Sequence, residues 1–185
     1  MSRIGNLFGP DFTFLGVPKA DLDDPASFAD ADVVILGAPF DGGTSYRSGA
    51  RFGPQAIRGT DNNPHDGSRP SLALRTDALR DLTVVDAGDV EVYSGEIERS
   101  LGQIREAVAT ITAAGPIPVV LGGDHSITYS DTSGIADVVG QGRVSLIHFD
   151  AHADTGDIEF GSLWGHGQPM LSLIHISEPT RPRLI

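Results

Sequence analysis

Four short apolar runs, each closed by small or acidic residues, set the frame of this chain. Val33-Val34-Ile35-Leu36 leads into Gly37, Pro39, Gly42 and Gly43. Leu82-Thr83-Val84-Val85 ends at Asp86-Ala87-Gly88-Asp89, and Ile117-Pro118-Val119-Val120-Leu121 ends at Gly122-Gly123. Val144-Ser145-Leu146-Ile147-His148-Phe149 ends at Asp150. Runs rich in β-branched residues between turn residues predict strands buried on both faces. Between the second and third runs, Ile97, Leu101, Ile104, Val108 and Ile111 recur at intervals of four, three, four and three, the period of a helix with one apolar face. Ser94 and Gly95 suit its start, Gly115 suits its end, and Pro116 blocks continuation. A shorter helix is predicted near Pro54, with Ala56 and Ile57, and another after Ser126. Residues 1–31 show no period and read as an irregular arm. Strands alternating with helices predict an α/β fold with a parallel sheet. The polar residues gather just past the carboxyl ends of the runs, the edge where open α/β sheets bind ligands.

Composition narrows the possibilities. The 185 residues fit one domain, and 39% hydrophobic residues suffice for a core. No apolar stretch is long enough to span a membrane. The N-terminus lacks a basic-then-apolar signal pattern, so a cytoplasmic setting is expected. The absence of cysteine excludes disulfides, thiolate metal sites and cysteine nucleophiles. With 25 acids against 13 bases, the net charge of −12 argues against a nucleic-acid partner and is compatible with a small cationic substrate.

The strongest chemical signal is Asp150-Ala151-His152-Ala153-Asp154. In extended chain, alternate side chains point the same way, so Asp150, His152 and Asp154 are expected to converge. Carboxylates and an imidazole without thiolate suit Mn²⁺, with Zn²⁺, Fe²⁺ or Co²⁺ also compatible. A second element, Gly122-Gly123-Asp124-His125-Ser126, follows the third run. Its paired glycines allow a sharp turn, His125 lies at the same edge, and Asp124 is expected to orient an imidazole or support the ligands from behind. Together these residues form a plausible share of a two-metal site, in which metals about 3.5–4 Å apart hold a nucleophilic hydroxide. His148 shares the face of Asp150 but reads as a hydrogen-bonded near-core histidine rather than a ligand. His65 lies in a polar loop and reads as solvated. Asp21-Leu22-Asp23-Asp24-Pro25 reads as an acidic surface segment.

These motifs carry a resemblance to the ureohydrolases, the arginase and agmatinase family. Gly37-Ala38-Pro39-Phe40-Asp41-Gly42-Gly43-Thr44-Ser45, running to Arg51-Phe52-Gly53-Pro54-Gln55-Ala56-Ile57-Arg58, resembles the family's N-terminal signature in its agmatinase-like form. The two elements above match its upstream metal motifs, and His166-Gly167-Gln168-Pro169 resembles its His-Gly-x-Pro element. The resemblance implies a three-layer α/β/α fold and a homotrimer or homohexamer. It also implies two Mn²⁺ per complete subunit, held in part by His125, Asp150, His152 and Asp154, with Asp150 bridging. It implies that His166 contacts substrate or shuttles a proton. The reaction would be hydrolysis of a guanidino compound to urea and an amine. Arginases usually place Ile-Asn after the Asp-Ala-His-x-Asp element. Thr155 and Gly156 stand there instead, which favours agmatine or 4-guanidinobutyrate over arginine. The rival from another class is an inert metal-binding or interaction module, which would hold one metal or none.

The family's remaining ligands come from a downstream Asp-x-Asp pair that has no counterpart here, so residues 1–170 read as an incomplete ureohydrolase domain. Residues 171–185 resemble translated sequencing-adapter read-through and are expected to be foreign to the fold. His175 is therefore not a ligand candidate. With part of the ligand set absent, the chain as it stands is expected to be inactive.

Overall fold

The computed structural model describes residues 11–60 and 70–177, with the side chains of residues 175–177 left out. His65, with the loop around it, lies outside the described residues. Three of the four expected strands form: β1 (Val33–Ala38), β2 (Val84–Asp89) and β3 (Ile117–Gly122). All pair in parallel in the order β2-β1-β3, with Val33 opposite both Val84 and Ile117.

β1 is the central strand and is buried on both faces, as its unbroken apolar run requires. Val34, Leu36 and Ala38 pack into the core with Leu101, Ile104, Val108 and Ile111 of helix α3 (Ile97–Ala114). Ile35 is buried on the opposite face. On that second face a side chain at Gly37 would collide with the Asp89 carboxylate and the Arg58 guanidinium. Arg58 ends the short helix α1 (Gly53–Arg58), so helices cover both faces of the sheet in the expected three-layer α/β/α arrangement. A one-turn helix α2 (Ala78–Asp81) precedes β2.

Helix α3 ends where glycine and proline predict. Gly115 has φ +115°, a conformation that side chains resist, and Pro116 follows. Helix α4 (Ile127–Val139) follows Ser126 and packs against α3. Their approach is close at Gly134, where an added Cβ would lie 2.5 Å from the Arg105 carbonyl oxygen. Arg105 and Asp137 pair across this contact through two hydrogen bonds of 2.5 and 2.6 Å. The arm is irregular but not loose. Ala20 N–H donates to Asp86 O and Asp86 N–H to Pro18 O, both at 2.9 Å, so the arm closes the outer edge of β2. Phe28 anchors it in the core. No helix among the described residues is long and apolar enough to cross a membrane.

One expectation fails. The fourth run makes no ladder: residues 143–150 are irregular, with Ile147 80% and Phe149 94% exposed. An apolar run favours extended backbone, but a strand also needs ladder hydrogen bonds, and this segment makes none with β1, β2 or β3, although the outer edge of β3 is free among the described residues. Helix α5 (Pro169–Ser177) runs past residue 170, packs on α4 and buries Leu173. Pro179 lies just beyond that helix.

The most demanding polar cluster is the buried Arg58. Its Nε and Nη2 donate to the two Asp86 oxygens at 2.8 and 2.9 Å, Nη1 pairs with Asp89, and Nη2 reaches Gly88 O at 3.1 Å. Removing one partner of a buried ion pair leaves uncompensated charge. Arg58→Met is therefore expected to destabilise the chain by about 3–5 kcal/mol, read as a lowered midpoint in urea unfolding.

Candidate metal centre

The site begins at the turn after β3. Gly123 has φ +34°, and a Cβ there would lie 2.5 Å from the carbonyl oxygens of both Ala38 and Phe40. Glycine is therefore required for the turn to pass this close to the end of β1. The turn delivers Asp124 and His125. The buried Asp124 carboxylate accepts from Gly43 N–H and Ser126 N–H, both at 2.8 Å, and from the Ser126 hydroxyl. None of these partners is an imidazole, and of the two roles expected for Asp124 its hydrogen bonds fit support from behind. They fasten the loop after β1 to the turn after β3.

His125 Nδ1 meets the Asp154 carboxylate directly and lies 3.7 Å from Asp150 Oδ2. His148 stacks on the His125 ring, with centroids 5.1 Å apart and planes inclined by 21°. His148 Nε2 lies 3.4 Å from Asp150 Oδ2. Ligand atoms of His125, His148, Asp150 and Asp154 all lie within 4.8 Å of one another.

This set differs from the sequence expectation at one histidine. Alternation holds from His148 to Asp150 and fails beyond it. Asp150 Oδ1 accepts the N–H of His152 at 2.9 Å, a local turn of the kind short acidic side chains favour. Asp154 then takes a left-handed conformation, φ +48°. The chain is no longer extended, so Asp154 swings back to His125 while the His152 side chain points outward, 82% exposed. His152 Nδ1 lies 3.6 Å from Asp150 Oδ1, the oxygen facing away from the group. His148, read from sequence as a near-core histidine, belongs to the group. Its position two residues before Asp150 was the available signal.

The donors suit a hard-to-borderline divalent cation: two imidazoles, two carboxylates and no sulfur. The His152 N–H, above all, holds the Asp150 carboxyl below its ordinary range, so it is ionised and ready to bind. His148 Nε2 is buried and has no hydrogen-bond partner among the described residues. A buried polar atom of that kind needs a partner, and a cation at the centre of the group would supply one.

His166 lies outside the group. Its backbone N–H donates to Gly43 O at 3.0 Å, and its Nε2 is 3.2 Å from Ser45 Oγ. Sequence reasoning missed Ser45, and it also missed Gln168. The buried Gln168 amide donates to Asp157 O and Ser162 O at 3.1 and 2.7 Å, and its carbonyl accepts from Gly165 N–H. Those bonds close the loop between Asp154 and His166. At Gly156 a Cβ would lie 3.0 Å from Gly167 O, so a larger side chain requires the loop to shift. Asp21, Asp23 and Asp24 are exposed, as expected for a surface segment.

Comparison with known proteins places this geometry. Residues 31–182 match the arginase family. The chain is 42% identical over 138 residues to the mitochondrial agmatinase of Gallus gallus, covering 75% of this chain and 39% of that protein. It is 43% identical over 144 residues to the mitochondrial guanidino acid hydrolase of Homo sapiens, covering 75% and 38%. The solved structure of proclavaminate amidino hydrolase from Streptomyces clavuligerus superposes with a TM-score of 0.75 at 32% identity, covering 90% of this chain and 52% of that one. Formiminoglutamase of Trypanosoma cruzi with Mn²⁺ gives 0.68 at 28% identity, covering 85% and 53%. The chain thus spans about half or less of the length of these relatives.

On α4, burial raises the Asp131 carboxyl to about 6 from its ordinary 3.8. The folded chain therefore binds this proton more tightly than the unfolded chain does. Its contribution to stability is full below about pH 4 and is lost as pH rises to about 6, by up to about 3 kcal/mol. Asp131→Asn is expected to flatten the metal-free chain's stability across that window and to stabilise it above pH 7. Urea midpoints at pH 4, 5, 6 and 7 check this.

Proposed function

The chain belongs to the arginase family, and from that premise we propose that it is the N-terminal part of a manganese-dependent amidinohydrolase. Its substrate would be a guanidino compound lacking an α-amino-acid head, with agmatine favoured, and its products urea and an amine. The observation that carries this reading is the convergence of His125, His148, Asp150 and Asp154 at the carboxyl edge of the sheet.

Mn²⁺ bound there would act as a Lewis acid that makes water a nucleophile near neutral pH. The remaining chemistry falls to the chain's own residues. The carboxylates of Asp150 and Asp154 attract a guanidinium electrostatically. The amine released from a guanidino carbon must take up a proton, and an imidazole placed at the site is suited to give one. His166 fills that role, with Ser45 Oγ holding its Nε2. Gly156 stands where arginases carry the asparagine that helps hold the amino-acid end, and the nearby Gly167 carbonyl leaves little room for an asparagine side chain.

A second reading, hydrolysis of 4-guanidinobutyrate, draws support from the human guanidino acid hydrolase, which resembles this chain as closely as the agmatinase does. His152 faces the far oxygen of Asp150 and would serve a second cation there. Further ligands for that position are absent among the described residues.

Urea release in the presence of Mn²⁺ tests the proposal on two proteins. The 185-residue chain is expected to show no turnover. A chimera of residues 1–170 continued by the C-terminal half of the chicken agmatinase is expected to release urea from agmatine. Asp150→Asn should abolish that activity. Turnover by the short chain, a silent chimera that is folded and metal-loaded, or preference for arginine would each count against the proposal.

A further inference from the structure

We infer that the cavity between the loop after β1 and the hairpin at residues 159–162 binds a primary alkylammonium group, with the Glu159 carboxylate as its charged partner. The site lies outside the metal group and needs no metal.

The cavity measures about 270 Å³ and is lined by Thr44, Ser45, Glu159, Phe160, Ser162 and Trp164, with Ile97 in its wall. Drug-sized ligands fill roughly 300–1,000 Å³, so this space suits a smaller one. Glu159 N–H donates to Ser162 O at 3.1 Å and Ser162 N–H to Glu159 O at 2.9 Å, which closes a tight hairpin and fixes the Glu159 backbone. A Cβ added to Gly165 or Gly167 would lie 3.2 or 2.8 Å from Glu159 Oε2. The two glycines that flank His166 therefore leave the space this oxygen occupies. Glu159 is half-buried, and its carboxylate makes no hydrogen bond or ion pair among the described residues. No lysine or arginine lines the cavity. A carboxylate partly withdrawn from water without a cation is half of an ion pair.

The other lining residues indicate what completes it. The Trp164 ring is held by its indole N–H, which donates to Glu98 Oε1 at 3.1 Å, and by a tilted contact with Tyr129. Phe160 adds a second aromatic ring, and aromatic faces attract cations. The hydroxyl oxygens of Thr44, Ser45 and Ser162 can accept N–H groups. An alkylammonium brings one positive charge, three donors and an apolar stem. An anionic ligand would meet Glu159 and find no basic side chain to receive it.

Ser45 connects this cavity to the proposed reaction. Its Oγ lies 3.2 Å from His166 Nε2, so the cavity begins beside the imidazole assigned to protonate the leaving amine. The cavity then takes the far end of the substrate, and Glu159 selects agmatine, which ends in an ammonium, over 4-guanidinobutyrate, which ends in a carboxylate. This consequence rests on the proposed function, whereas the ammonium site does not.

Trp164 is the only tryptophan in the chain, so its fluorescence reports on the cavity. n-Butylamine, protonated at pH 7, is titrated into the 185-residue chain with a chelator present and salt at about 0.15 M, where long-range attraction is screened. Butyrate is titrated in parallel. Butylammonium is expected to change the Trp164 emission saturably, and butyrate to leave it unchanged. Glu159→Gln is expected to weaken butylammonium binding at least about tenfold. Glu106→Gln, which removes the same charge from an exposed position on α3, is expected to leave it unaltered and controls for general attraction of cations to an acidic chain. Equal affinity for butyrate, equal affinity in Glu159→Gln, or no saturable response from the folded chain overturns the site. Each of these leaves the metal-dependent reaction standing, because neither metal nor guanidino substrate is present. A silent chimera in the urea assay overturns the reaction and leaves the ammonium site standing. If Glu159→Gln does not fold, the comparison of butylammonium with butyrate in the unaltered chain decides alone.

Discussion

The Asp124 carboxylate is the fastening on which the carboxyl edge of this sheet depends. It accepts from Gly43 in the loop after β1 and from Ser126 in the turn after β3. A buried carboxylate with several donors is held firmly, because leaving any of them unpaired is costly. The consequences reach both histidines implicated in the chemistry. His125 is the next residue along the chain, so its ring is aimed from a fixed point. His166 hangs from Gly43 through its backbone N–H, so the position of its ring relative to β3 follows from the same bond. This carboxylate sets the distance between the two loops.

The sheet and its main helices were legible because their signals are local and periodic. The β1 run alternates between two buried faces, and the α3 pattern continues unbroken to a glycine with positive φ and a proline. The run at residues 144–149 reads just as clearly, yet it forms no strand. Periodicity reports the preference of a segment, whereas pairing depends on a second segment that the pattern does not describe. On β3 as well, the strand at the end of the sheet order, Ile117 is 64% exposed. Ile147 and Phe149 are more exposed still, so apolar side chains remain uncovered along the unpartnered run and on this terminal strand. Such surface favours association in water.

The metal group shows a different limit of sequence reasoning. Asp-x-His-x-Asp predicts convergence of all three side chains only if the backbone stays extended. The first aspartate of the motif itself breaks that condition by binding the N–H two residues on, a habit of short acidic side chains at turns. Alternation does apply upstream, where it joins His148 to Asp150. The residue types and their location at the sheet edge were therefore legible, while the membership of the group turned on one side chain-to-backbone hydrogen bond.

This local turn also gives the Asp150 carboxylate two distinct sides. One oxygen is committed to a group of imidazoles and carboxylates, and the other faces His152 near solvent. A carboxylate arranged in this way is suited to bridge two cations, but only one side has enough donors among the described residues to hold an ion by itself. Beside the Oδ1 oxygen the described residues place His152 alone. The single well-furnished position is then the more elementary property, because the ligand atoms of His125, His148, Asp150 and Asp154 already lie within 4.8 Å of one another.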